Sequence, residues 1–177
     1  MSVPSFLPCH PDDHHQCIDQ ALERAVHLCR ERGVRLTEIR HRVLELIWQS
    51  HKPRGAYDLL EELGKEGHNS APPTVYRALD FLLEQGLVHR IASLNAFIGC
   101  NQPDEHHRSG FLICRQCGHT LEMNLDSLGY AVQQEANSRR FEISHLLVEA
   151  SGLCAECRTT DDARVEALHP ASGTRGN

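Results

Sequence analysis

Cys114, Cys117, Cys154 and Cys157 form two Cys-x-x-Cys pairs. Each pair puts two thiols on one tight turn, close enough to grip a single ion. Two such pairs can close a tetrahedral all-thiolate site, the arrangement that structural zinc prefers. The 36 residues between Cys117 and Cys154 exceed the roughly 15–20 of a common zinc ribbon, which leaves room for a strand and a helix between the two knuckles. Two disulfides or a redox dithiol are the competing chemistries. The first 15 residues are rich in Pro, Asp and His and lack the apolar stretch of a secretory signal. Outside an oxidising compartment, paired cysteines favour metal over disulfide. The expectation is a cytoplasmic protein with one structural zinc on these four thiolates.

A closed four-cysteine site has no open position for a substrate, and the chain has no His-Glu-x-x-His signature. Zinc hydrolase chemistry is therefore not expected, and the protein reads as a non-enzyme. With 177 residues and 40% hydrophobic residues, the chain has room for one domain of ordinary size or two small ones. No apolar run approaches the roughly 20 residues that span a bilayer. A metal staple suits a lobe of only about 50–60 residues, whose own core would be marginal.

The net charge of −6 argues against a generic basic nucleic-acid binder. Its distribution is more telling. Residues 18–95 carry 11 basic and 11 acidic side chains, whereas 96–158 carry 5 and 8. Arg30, Arg32, Arg35, Arg40 and Arg42 crowd together with only Glu31 and Glu38 between them. That local basic edge is either a solvated helix junction or a set of phosphate contacts.

The elements that must position these groups follow from periodicity. Residues 1–17 read as a flexible arm in which Cys9, His10, His14, His15 and Cys17 could at most form an extra metal clip. Helices are expected over 19–32, from an N-cap at Thr37 through Ile47, and over 56–63. A fourth helix opens at 71–74 with proline in its first turn and buries Val75, Ala78, Leu79, Leu82 and Leu83. Thr74, Tyr76 and Arg77 point away from that face. Gly86 stops the helix, and strands over 87–91 and 96–100 flank a turn. This order is that of a winged helix-turn-helix, in which the fourth helix enters the major groove. Residues 101–109 read as a hinge. Strands over 111–114, 119–124 and 141–149 and a helix over 126–139 then build a small α/β lobe around the knuckles, followed by a polar, disordered tail over 159–177.

Three runs carry a family resemblance: APPTVYRALDFLLEQGLVHRIASLNAFIGC at 71–100, HHRSGFLICRQCG at 106–118 and GLCAEC at 152–157. Together they resemble the ferric uptake regulator (Fur) superfamily, and within it the zinc uptake regulator branch. The likeness spans about 19–158. It implies a homodimeric, metal-dependent repressor on palindromic double-stranded DNA. The implied organisation is a DNA-binding domain over 18–100, the hinge, and a dimerisation and zinc-binding domain over 110–158.

The resemblance also implies a second, regulatory zinc at the hinge. Its ligands would be His89, Cys100, His107 and Glu122. Two imidazoles, a thiolate and a carboxylate suit tetrahedral zinc, and the soft thiolate disfavours iron. His106 competes with His107 in register, and Asp104 or Glu105 could replace Glu122. Structural readings exist for each residue: His89 as a half-buried strand histidine, Cys100 as an inert core thiol, His145 as a histidine packed near the knuckle, and Cys29 as core. The family match assigns DNA contact to Tyr57 and Arg77; Thr74 and Tyr76 are candidates to support Arg77 or to touch phosphate or a thymine methyl, and Arg35 and Arg40 are candidates for backbone contacts. Arg77 has the fork to read guanine.

Overall fold

The computed structural model describes residues 14–67, 71–104 and 107–159. The N-terminal half runs α1 (His14–Glu31), α2 (Glu38–Trp48), β1 (Arg54–Gly55), α3 (Ala56–Lys65), α4 (Pro72–Glu84), β2 (Val88–Ile91) and β3 (Ala96–Gly99). The C-terminal half adds β4 (Ser109–Cys114), β5 (Thr120–Asn124), α5 (Asp126–Ser138) and β6 (Glu149–Gly152). The α+β class agrees with the sequence reading, and so does the order of elements apart from β1, which that reading did not include.

The main core belongs to the helices. Leu44, Ile47, Leu59, Leu63, Leu79 and Leu82 are all at most 1% exposed, and each buried side chain of this kind contributes about 1.5–3 kcal/mol. On α4 the expected stripe is buried at Val75, Ala78, Leu79 and Leu82, with Leu83 half-buried. Phe81 is buried as well, because the Arg40 guanidinium lies 3.7 Å over its ring. Gly86, at φ +66°, ends α4: Leu87 N–H reaches Leu82 C=O at 2.9 Å and Gly86 N–H reaches Leu83 C=O at 2.9 Å, a Schellman closure that a left-handed glycine permits.

The wing is a three-stranded antiparallel sheet in the order β1-β3-β2. Its two-residue first strand pairs Arg54 with Phe97 and Gly55 with Ala96. The second sheet has the order β5-β4-β6, with β4 and β6 parallel and Phe111 opposite Glu149. Ile91 of the wing packs with Phe111 and Ile113 of β4, with Ile98 alongside. That apolar seam joins the two halves.

Three expectations need correction. α1 starts at His14, so the last residues assigned to the arm are helical; nothing between 14 and 19 breaks a helix. Thr37 is the N-cap residue of α2 as expected, although its hydroxyl makes no capping bond. β4 begins at Ser109, inside the span read as hinge. The strand expected over 141–149 is instead β6 at Glu149–Gly152, because the parallel register pairs β4 with β6 only from Phe111 onward. Residues 141–148 carry His145 and have no strand pairing. The remainder of the arm with Cys9 and His10, the residues 160–177 of the tail, and the alternatives Glu105 and His106 lie outside the described residues.

Candidate metal centres

The four knuckle cysteines converge. Their sulfur atoms all lie within 4.8 Å of one another. Cys117 Sγ and Cys154 Sγ are 3.7 Å apart, and the edge of a tetrahedron with zinc–sulfur bonds of about 2.3 Å is about 3.8 Å. The turn of β4 supplies one pair, and the short helical turn after β6 supplies the other. Cys114 is the thiol most ready to ionise. The backbone N–H of Cys117, and then that of Cys154, which donates to Cys114 Sγ at 3.4 Å, hold its pKa down at about 5. Burial pushes the Cys157 thiol up. Four sulfurs at this spacing, with an N–H donor aimed at one of them, fit a structural zinc.

The second cluster lies at the junction of the halves. His89 on β2, Cys100 after β3, His107 before β4 and Glu122 on β5 place their ligand atoms within 4.8 Å of one another. Pairing within each sheet delivers them: His89 stands opposite Ile98 in the wing, and Glu122 opposite Phe111 in the lobe. His107 Nε2 is 3.7 Å from Cys100 Sγ and 2.7 Å from Glu122 Oε1. Tetrahedral zinc with ordinary N and S bond lengths separates such atoms by roughly 3.3–3.8 Å. The histidine–sulfur spacing matches, and the shorter contact is a hydrogen bond between imidazole and carboxylate.

His89 carries the fit test. Its buried Nε2 faces Glu122 Oε1 at 2.9 Å and has no other hydrogen-bond partner among the described residues. A buried imidazole nitrogen held by a single carboxylate oxygen is poorly satisfied. In the neutral ring this nitrogen can ligate an ion at the centre of the cluster, so the donor set fits zinc. Burial alone would raise the Glu122 pKa. The His89 ring, the Ser109 hydroxyl donating to Oε1 at 2.5 Å and the Asn101 N–H donating to Oε2 at 3.1 Å outweigh it and hold the pKa at about 2. Burial, reinforced by the Glu122 charge, pushes the Cys100 thiol up to about 12.

Asp104 is engaged elsewhere, with Arg24 at 3.1 Å, so Glu122 is the carboxylate that the cluster presents. Ser109 and the Asn101 amide were not foreseen, since a hydroxyl and a backbone N–H carry no ligand signature in sequence.

A cysteine-closed knuckle, a mixed histidine–cysteine–carboxylate hinge cluster and a winged helix thus occur in one chain. The ferric uptake regulator family model matches residues 31–151. The chain belongs to the ferric uptake regulator family. It is 39% identical to the zinc uptake regulation protein of Escherichia coli (strain K12) over 146 residues, 82% of this chain and 85% of that protein. Among solved structures, it resembles a zinc uptake regulator complexed with zinc and DNA, with a TM-score of 0.78 and 38% identity over 82% of this chain and 97% of that one. Holo XcZur superposes with a TM-score of 0.73 at 39% identity, covering 80% of this chain and 99% of that one.

In this Fur-family chain the residues assigned to DNA contact are all on the solvent side. Tyr57 is 74% exposed at the start of α3 and Tyr76 43% exposed on α4; Thr74 and Arg77 are exposed too. Among the described residues nothing engages the Arg77 guanidinium. The basic edge behaves differently. Arg42 is neutralised by Glu45 at 2.6 Å and by Glu66. Arg32 donates to Gln85 C=O at 2.5 Å and Pro103 C=O at 3.0 Å. Arg40 is stacked on Phe81 and donates to Arg35 C=O at 2.7 Å. Of the two arginines expected on phosphates, Arg40 is thus already used inside the fold, while Arg35 is exposed.

Proposed function

We propose that this chain is a zinc-responsive, DNA-binding transcriptional repressor that controls zinc uptake genes. The observation that carries the reading is the hinge cluster, whose four ligand atoms come from both halves of the chain and meet within 4.8 Å. Zinc there supplies a positive centre that all four donors can share. Any ligand bound best in one arrangement of the halves raises the population of that arrangement. His89 and Cys100 anchor the reading head, residues 18–100. His107 and Glu122 anchor the lobe over 110–158, across the hinge at 101–109. The four knuckle cysteines hold the other zinc, giving one structural and one regulatory ion per chain.

The DNA partner is a palindromic duplex bound by a homodimer. Exposed apolar side chains support dimerisation through the lobe: Leu112, Leu121, Leu128, Tyr130, Phe141 and Leu147 are each at least 39% exposed. Such a concentration in a small lobe is expected of a covered face. β6 also has a partner on one side only, an edge that a second chain would satisfy. Tyr57, Thr74, Tyr76 and Arg77 would face the duplex. Among the described residues no helix is long and apolar enough to cross a membrane, and a cytoplasmic location goes with this reading.

The test is fluorescence anisotropy of a duplex selected by the zinc-loaded protein from a random-sequence pool, titrated with buffered zinc, iron and manganese. Steep zinc-dependent binding is expected, with loss in Cys100→Ser while the structural zinc remains. Binding that follows another metal or an oxidant overturns the zinc reading and leaves the winged helix standing.

A further inference from the structure

The wing is tied to the lobe at a point that no hinge ligand touches. Glu149, the first residue of β6, accepts hydrogen bonds from two consecutive amides of the wing turn, Ala92 N–H at 2.6 Å and Ser93 N–H at 3.1 Å. Ala92 directly follows Ile91, the end of the strand that carries His89. β6 pairs with β4, whose other neighbour β5 carries Glu122. The elements that bring His89 against Glu122 are therefore joined a second time, by a carboxylate seated on two backbone donors.

We propose that Glu149 is a positioning residue for the hinge site: by latching the wing turn to β6 it holds His89 in register with His107 and Glu122, and so lowers the zinc needed for DNA binding. The inference rests on the reading above that hinge zinc controls DNA binding. Glu149 is not among the four ligand atoms, so its removal leaves the donor set intact.

The physical basis is preorganisation. Apparent affinity for a ligand scales with the fraction of chains already in the binding-competent arrangement. The latch and the closed cluster occur in the same arrangement, so each raises the population of the other. Carboxylate-to-amide bonds are charge-assisted and stronger than neutral ones. Burial opposes ionisation of Glu149, but the Ser93 and Ala92 donors hold its pKa below the ordinary carboxylate value. The carboxylate is thus in its charged, acceptor form near neutrality. A bland alternative exists: Glu149 could merely stabilise β6 and the knuckle beyond it.

The experiment compares wild type, Glu149→Ala and Glu149→Gln in two readouts. One is zinc-dependent anisotropy of the selected duplex. The other is zinc content after mild chelation, which reports the four-thiolate site. Glutamine keeps one acceptor oxygen and lacks the charge, so it should fall between the other two. The expected result is a free-zinc midpoint raised about 2- to 12-fold in Glu149→Ala, the range of an ordinary hydrogen bond, because both carboxylate bonds are open to solvent, with full binding recovered at high zinc and structural zinc unchanged. An unchanged midpoint in both variants overturns the latch. So does a shift that comes with lost structural zinc and does not recover at high zinc. A wild type that ignores zinc fails the functional reading itself, and is recognised without either variant.

Discussion

Trp48 occupies the space over Gly99: a Cβ on Gly99 would fall 2.3 Å from the indole ring. Trp48 ends α2, Gly99 ends β3, and the hinge thiol of Cys100 follows immediately. Only a residue without a side chain lets β3 pass so close to the helix. The position of Cys100 is therefore set by packing against the reading head.

Gly99→Ala should accordingly weaken the hinge site. The added methyl must displace either the indole or the backbone that leads to Cys100, and overpacking of this kind costs about 1–3 kcal/mol. The expected outcome is a lower melting temperature together with a raised zinc midpoint for DNA binding, read by calorimetry and anisotropy. Trp48→Phe combined with Gly99→Ala should restore part of both losses.

Trp48 is the only tryptophan in the chain, and it borders the same cavity of about 280 Å³ as Cys100. Its emission should therefore change as zinc fills the hinge and stay constant as the knuckle cysteines are loaded. A titration of protein that already holds its structural zinc checks this, with Cys100→Ser as the control that should lose the signal. A signal that persists in Cys100→Ser would mean that the indole reports something other than the hinge.

Much of this architecture was legible because periodic patterns and paired cysteines are local signals. The stripe Val75, Ala78, Leu79, Leu82 declared α4, and the knuckles declared their own site. What escaped is non-local. β1 is two residues long and exists only through Phe97 and Ala96 across the wing, so its own sequence has no period to show. Phe141 and Leu147 read as strand residues by composition, yet the register of β6 leaves them outside the sheet and exposed at 65% and 48%. Ser109 and Glu149 act through bonds to residues 13 and 56–57 positions away, a relation that spacing in one sequence does not encode. The hinge cluster was reachable only through the family resemblance, because a lone strand histidine and a lone buried cysteine are individually ordinary core residues.

Ser109 supplies a further test of the hinge. Its hydroxyl donates at 2.5 Å to Glu122 Oε1, the same oxygen that faces both imidazoles. Groups that orient a ligating carboxylate typically tune metal affinity by about 10–100-fold. Ser109→Ala should raise the zinc midpoint toward the lower end of that range, since the Asn101 amide still holds the other oxygen. Ser109→Thr, which keeps the hydroxyl, should stay near wild type. Chelator competition monitored by Trp48 emission measures both.

Removing a knuckle ligand should do something different in kind. Cys117→Ser leaves three thiols around a site whose sulfur spacing already matches a tetrahedral ion. Structural zinc sites supply folding free energy directly, and this lobe has few buried apolar residues of its own. The variant should purify without the structural zinc, lose the proposed dimer in light scattering, and show a lobe that no longer melts cooperatively. A folded, zinc-free dimer would show that the apolar core suffices and that the knuckle is not structural.

Arg77 decides whether α4 reads sequence or only approaches the backbone. It is exposed with no intramolecular partner among the described residues, and a guanidinium in the major groove pairs two-pronged with guanine, worth about 1–3 kcal/mol of discrimination. Arg77→Ala should thus weaken binding of the selected duplex about 5- to 150-fold by the same interval, and flatten its preference at one base pair in each half-site. Arg77→Lys keeps the charge but not the fork, so it should recover general affinity without the preference. Loss of affinity that is uniform across sequences, and equal recovery by lysine, would instead place Arg77 on a phosphate. The salt dependence separates the two outcomes, because only removal of a phosphate contact lowers the slope of log affinity against log salt by about one.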